Sequence, residues 1–145
     1  MEFKTMTLLS KEEYEKYRLL IPIIDNWWWL RTPNSDHSSG VCIIDCDGKL
    51  YSDFCFYKDG GIRPVCTLNL EPSDSEFWHK PKTLIGAKIK YGKHQWTVLD
   101  ALENDLLVLC DKNIWCRRFD LRFNIWETSE LKQWLETEGL KFIAT

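Results

Sequence analysis

Short apolar runs, broken every few positions by turn residues, leave this chain few folds to choose from. Val41–Asp45 is followed by Asp47-Gly48, a dipeptide biased to hairpins because tight two-residue turns need positive φ. Lys49–Tyr57 then returns, Lys58–Gly61 turns the chain again, and Ile62–Leu70 reads as a further strand. The rhythm recurs in the second half. Leu84–Tyr91, Gln95–Leu102 and Leu106–Asp111 are separated by turns at Gly92-Lys93 and Glu103–Asp105, and Asn113–Phe119 reads as another strand. Thr5–Leu9 and Lys141–Ala144 supply short strands at the two ends. Runs of this length, bounded by such residues, make antiparallel sheet.

Helical signals occur twice. Ser10 with Glu13 forms a capping box, in which each side chain satisfies the other's free backbone N–H. It predicts a helix over Lys11–Leu20, with Tyr14, Tyr17 and Leu20 or Ile21 facing inward and Pro22 as the stop. Thr128 or Ser129 caps a second helix that ends near Gly139, with Leu131, Trp134 and Leu135 as its apolar stripe. The expected class is α+β, sheet-rich and antiparallel, with two helices. The 145 residues suit a single domain over 1–145, with a first half at 1–70, a polar bridge at 71–83 and a second half at 84–145.

Composition narrows the function classes. At 44% hydrophobic, the chain can bury a core, and no apolar run approaches the roughly 20 residues of a membrane helix. The N-terminus lacks the apolar segment of a signal peptide. The expected setting is therefore intracellular, with the six cysteines as free thiols. The net charge of −3 argues against nucleic acid as the primary ligand. Two local basic groups stand out, Lys80 to Lys93 and Arg117, Arg118 and Arg122. They read first as solvated faces, and alternatively as patches for an acidic protein or a phosphate backbone.

Two sets of motifs carry a resemblance. The first is Leu8-Leu9-Ser10, Trp28-Trp29-Leu30-Arg31, Val41–Gly48 and Gly61–Val65. The second is Trp96-x-Val98-Leu99, Leu106–Leu109 and Trp126-x-x-Ser129-x-Leu131-x-x-Trp134-Leu135. Together they resemble an uncharacterised domain family of bacteria and their prophages, similar in fold to C-type lectins and the formylglycine-generating enzyme. In that family the second set precedes the first. The reversed order here implies either a circularly permuted monomer or an intertwined homodimer. The resemblance implies a lectin-like domain with a rigid core and variable presenting loops.

The signature residues Trp28, Trp29, Arg31, Arg63, Trp96, Trp126 and Trp134 read as structural. Successive strand side chains face opposite sides, so one of Trp27, Trp28 and Trp29 is expected near a surface. Arg31 and Arg63 suit pairing with buried carbonyls or carboxylates. His37, His79 and His94 lack ligand spacing, Asp45-x-Asp47 reads as a turn rather than a calcium loop, and no catalytic or cofactor residues are expected. The presenting surface is placed at Thr32–Gly40, Phe54–Gly60 and Trp115–Phe123, with Phe56, Tyr57, Trp115, Arg117, Arg118 and Arg122 as binding residues. The expectation is a non-catalytic, cytoplasmic protein-binding module of phage or mobile-element origin that inhibits a bacterial defence nuclease such as a CRISPR effector. The alternatives are a lectin-like module for carbohydrate or another small ligand, and an oxidase of the formylglycine-generating kind.

Overall fold

A computed structural model describes residues 2–70 and 81–144. Most of the expected bridge, with His79 and Lys80, lies outside the described residues. The described strands are β1 (Glu2–Thr7), β2 (Trp28–Pro33), β3 (Gly40–Ile44), β4 (Leu50–Phe54), β5 (Gly61–Ile62), β6 (Val65–Asn69), β7 (Lys88–Tyr91), β8 (His94–Leu102), β9 (Asp105–Cys110) and β10 (Trp115–Cys116). They form two five-stranded sheets, ordered β1-β6-β9-β8-β7 and β10-β5-β2-β3-β4. The pairing is antiparallel apart from β2 with β5. The α+β, sheet-rich class holds.

The expected strand Ile62–Leu70 is in fact two strands in different sheets. Pro64 has no N–H to continue a ladder, so the chain bends there. The opposing segment bends with it. Cys110 N–H donates to Pro64 O (3.0 Å) and Ile114 N–H to Ile62 O (2.8 Å), so β9 follows β6 and β10 follows β5. Arg63 fills the corner with no solvent exposure. Its Nε donates to Cys110 O at 2.7 Å, and its guanidinium lies 4.9 Å from the Trp28 ring. Burial lowers the Arg63 pKa to about 10, which leaves it charged near neutral pH.

Both faces of the sheets are covered. Trp29, Val41, Cys66, Trp96 and Val108 join one core cluster, and Trp28, Leu30, Cys42, Val65 and Leu109 join the other. Adjacent tryptophans on β2 are thus both buried, at 1% and 0% exposure. The tryptophan left partly exposed is Trp27, packed edge-on against Trp29. The six cysteines are free; Cys42, Cys55, Cys66 and Cys110 are buried.

The capping box at Ser10 and Glu13 forms as expected. It opens α1 (Lys11–Tyr17), which tightens into a 3₁₀ turn at Arg18–Leu20. Glu13 also pairs with Arg31 on β2. Burial pushes the Glu13 carboxyl up, but the Ser10 N–H and the Arg31 guanidinium outweigh it and hold the carboxyl below its ordinary range. Tyr17 donates to Asp100 (2.6 Å), tying α1 to β8.

The C-terminal strand expected at Lys141–Ala144 is helix instead. After α2 (Glu130–Trp134) comes a π turn (Leu135–Gly139) and then α3 (Leu140–Ala144), with helical backbone at both junctions. Gly139 does not end the helix. It is buried, and an added Cβ would lie 2.7 Å from Met6 Sδ, so its lack of a side chain lets the helix approach β1. Thr5–Leu9 shifts likewise: β1 ends at Thr7, and Leu8 and Leu9 are core residues on opposite sides. Leu84–Tyr91 begins as a 3₁₀ turn (Pro81–Leu84) and becomes strand only at Lys88.

Gly61 sits where β2, β5 and β10 meet. A Cβ there would come within 2.0 Å of Asn113 Nδ2 and 2.6 Å of the Trp27 carbonyl oxygen. Gly61→Ala should therefore lower stability by about 1–3 kcal/mol, the usual cost of overpacking. Urea unfolding checks it, and a midpoint equal to the native one would contradict this account of the junction.

Candidate functional site

Three loops meet at one place, and buried polar backbone holds them there. Cys55, fully buried, is the hub. Its N–H donates to Ser39 O (2.6 Å), and its carbonyl accepts from Phe119 N–H (2.9 Å) and Asp120 N–H (3.0 Å). Asn124 adds a second clasp. Its buried amide Nδ2 donates to His37 O and Gly40 O, both at 2.8 Å, and its backbone N–H donates to Ser38 O at 3.0 Å. The segments joined are 34–40, 54–60 and 115–125, which takes in the loops expected to form the presenting surface.

Underneath, Phe119 packs against Trp29 (5.8 Å) and Trp126 (5.7 Å) with no exposure. Trp29 Nε1 donates to Arg117 O at 2.8 Å. Of the signature tryptophans, Trp29 and Trp126 therefore act as the floor of this surface. A Cβ on Gly60 would lie 2.1 Å from Trp29 Nε1, which explains the glycine pair at 60 and 61.

On top, the surface is apolar. Phe54 and Phe56 stack at 5.3 Å with Tyr57 edge-on to both, and all three are exposed. Leu121, Phe123 and Ile125 are each at least half exposed, while Asn124 between them points inward. Asp120 fixes this loop by accepting the N–H groups of Arg122 and Phe123, each at 3.0 Å. Burial raises the Asp120 carboxyl, but those N–H groups prevail and keep it below the ordinary carboxylate range.

The expected binding residues divide. Phe56 and Tyr57 lie on the surface together. Trp115 belongs to a neighbouring aromatic row: it packs on Phe142 at 5.3 Å, Phe142 on Trp134 at 5.1 Å, and Arg117 lies 5.8 Å from the Trp134 ring. The π turn makes that row possible. Residues eight apart in an unbroken α-helix diverge by about 80° around the axis, and the extra residue brings Trp134 and Phe142 to within about 20°. Arg118 is committed to Glu130 through two bonds of 2.7 and 2.9 Å. Arg122 is exposed beside Leu121 and Phe123. Of the other signature residues, Trp96 and Trp126 are core, and Arg31 donates to Leu8 O at 2.7 Å.

Phe54, Leu121 and Phe123 fall within the expected presenting loops but not among the expected binding residues, and Ile125 on the surface and Asn124 as the clasp lie just beyond them. The alternation Leu121-x-Phe123-x-Ile125 was available as a signal, but in a chain of short strands it also describes a half-buried strand. Among the described residues, no three His, Cys, Asp or Glu side chains converge to hold a metal ion, and no helix is long and apolar enough to cross a membrane.

Residues 4–70 match a family described as a domain of unknown function, DUF6273. No curated protein and no solved structure matches the chain. The matched segment holds most of β1, all of β2 to β6 and two of the three loops, 34–40 and 54–60. The third loop, with Phe119 and Asn124, lies outside it, as does Cys110, whose carbonyl accepts from Arg63. The matched segment thus meets much of its core and its loop clasp in residues 105–125.

Asn124→Ala should remove the Nδ2 bonds to the carbonyl oxygens of Asn34, His37 and Gly40, of which the last two each keep a backbone N–H donor. Each such hydrogen bond contributes about 0.5–1.5 kcal/mol. Amide hydrogen exchange at Gly40 and Cys55 should quicken more than exchange in β8 and β9, and uniform quickening would count against a local clasp.

Proposed function

We propose that this protein is a non-catalytic protein-binding module of lectin-like architecture, its halves in permuted order, and that it binds through the 54–57 and 121–125 surface. One observation carries the reading. Six large apolar side chains (Phe54, Phe56, Tyr57, Leu121, Phe123 and Ile125) stand exposed on neighbouring loops that are held from below. Exposed apolar patches of this kind, when rigidly supported, mark interaction sites. Aromatic anchors on a preorganised surface lose little conformational entropy on binding. Arg122 at the margin adds a charged group suited to a carboxylate on the partner.

The partner class is a protein. The motif resemblance to a bacterial and prophage family narrows it to a host defence nuclease, blocked by occupation of its surface. That family's opposite motif order supports the permutation.

The test is a triple substitution, Phe56→Ser with Tyr57→Ser and Phe123→Ser. These side chains are exposed, so the thermal unfolding transition should stay close to native. A protein captured stoichiometrically by the native chain should be lost, with affinity falling at least a hundredfold, since anchor residues each carry about 2 kcal/mol or more. Equal capture by the native and triply substituted chains would sink the proposal. Against purified defence nucleases, the native chain should inhibit and the variant should not.

A further inference from the structure

A second site stands apart from the loop surface, where the β7–β8 turn meets the end of β9. Lys90, Lys93, His94, Gln95, Cys110, Asp111 and Lys112 line a cleft of about 390 Å³ there. Clefts that hold small ligands run from roughly 300 to 1,000 Å³. We propose that this cleft binds a small phosphate-bearing ligand through the ammonium groups of Lys90, Lys93 and Lys112.

The charge arrangement carries the argument. Asp111 supplies the carboxylate of the lining, and it is already engaged. Lys88 Nζ lies 3.2 Å from it, and Gln95 Nε2 donates to it at 3.1 Å. Lys88, which lies outside the lining, thereby neutralises the cleft's carboxylate. The ammonium groups of Lys90, Lys93 and Lys112 have no ion-pair or hydrogen-bond partner among the described residues, whereas those of Lys4 and Lys132 elsewhere pair with Asp105 and Glu136. Three unpaired ammonium groups on one cleft, in a chain of net charge −3, form a local positive field.

His94 registers that field. It faces Tyr91 across the hairpin, and its Nε2 is shielded from solvent with no hydrogen-bond partner. Burial, and then the charges of Lys93 and Lys112, hold its pKa below that of an ordinary histidine. Asp111 and Lys90 complete the charged groups of the cleft. A bound anion would offset the lysines and raise the His94 pKa. A phosphate monoester suits the site because it carries about two negative charges at neutral pH. The chain's net acidity disfavours a long polyanion over a small ligand.

The test is an NMR titration of the full chain with inorganic phosphate and then glycerol phosphate, at constant ionic strength set by chloride. Saturable shifts are expected at residues 90–95 and 110–112, together with a rise in the His94 titration midpoint. The exposed double variant Lys93→Ala with Lys112→Ala should keep its unfolding transition, lose at least tenfold in affinity and leave the His94 midpoint unmoved by phosphate. Non-saturating shifts, equal shifts with chloride, or unchanged affinity in the variant would overturn the site. Tighter binding of a single-stranded oligonucleotide through the same residues would overturn the small-ligand reading.

Discussion

Everything in this fold turns on the corner at Gly61–Val65. Two chain segments, 61–69 and 105–116, run side by side and pass together from one sheet to the other. Pro64 interrupts the ladder at the bend, and Arg63 fills the space the bend creates. A buried guanidinium is a costly filler. Its bond to Cys110 O and its position over Trp28 offset part of that cost. Only one of its three nitrogens has a hydrogen-bond partner, so its contribution lies in tying Trp28, β6 and β9 into one unit. Because the corner joins residues from both halves of the chain, neither half holds a complete core.

The loop surface inherits its rigidity from this arrangement. Trp29 lies next to Trp28 on β2, faces the other core cluster, and supports Phe119 and the Arg117 carbonyl. Phe119 in turn seats the loop that Asn124 and Cys55 clasp to its neighbours. Adjacent positions on β2, the Trp29–Phe119 packing and the backbone bonds of Cys55 thus join the corner to the loops. For the binding role proposed above, a surface held in this way would add little ordering cost.

Local signals were the legible part. The Ser10 and Glu13 capping box, the Asp47-Gly48 turn and the β8–β9 hairpin all depend on residues within a few positions of one another, and each formed where the residues indicate. Three expectations failed, two of them where distant contacts overrode local preference. Gly139 carries a helix-ending residue, yet its small size is used for close approach to Met6. Lys141–Ala144 reads as strand by its short apolar content, yet Phe142 and Ile143 pack as a helical face on Trp134 and the core. Ile62–Leu70 reads as one strand, although Pro64 marked the break. Of the candidate site, the three loops and Phe56 and Tyr57 were readable. The outward alternation of Leu121, Phe123 and Ile125 was not, because alternation does not say which side faces water.

The sequence by itself determined the α+β class, the first helix and its cap, the main hairpin turns, and a core rich in aromatic side chains. These follow from backbone stereochemistry and side-chain spacing, which act over one or two turns of chain. Only the tertiary structure decided that there are two sheets rather than one, and that adjacent tryptophans are both buried. It also decided that the third loop closes the surface, and that three lysines stand unpaired around one cleft. Each of these depends on which residues, distant from one another along the chain, come to share the same space. That outcome is set by the packing of the whole core and by the Arg63 corner.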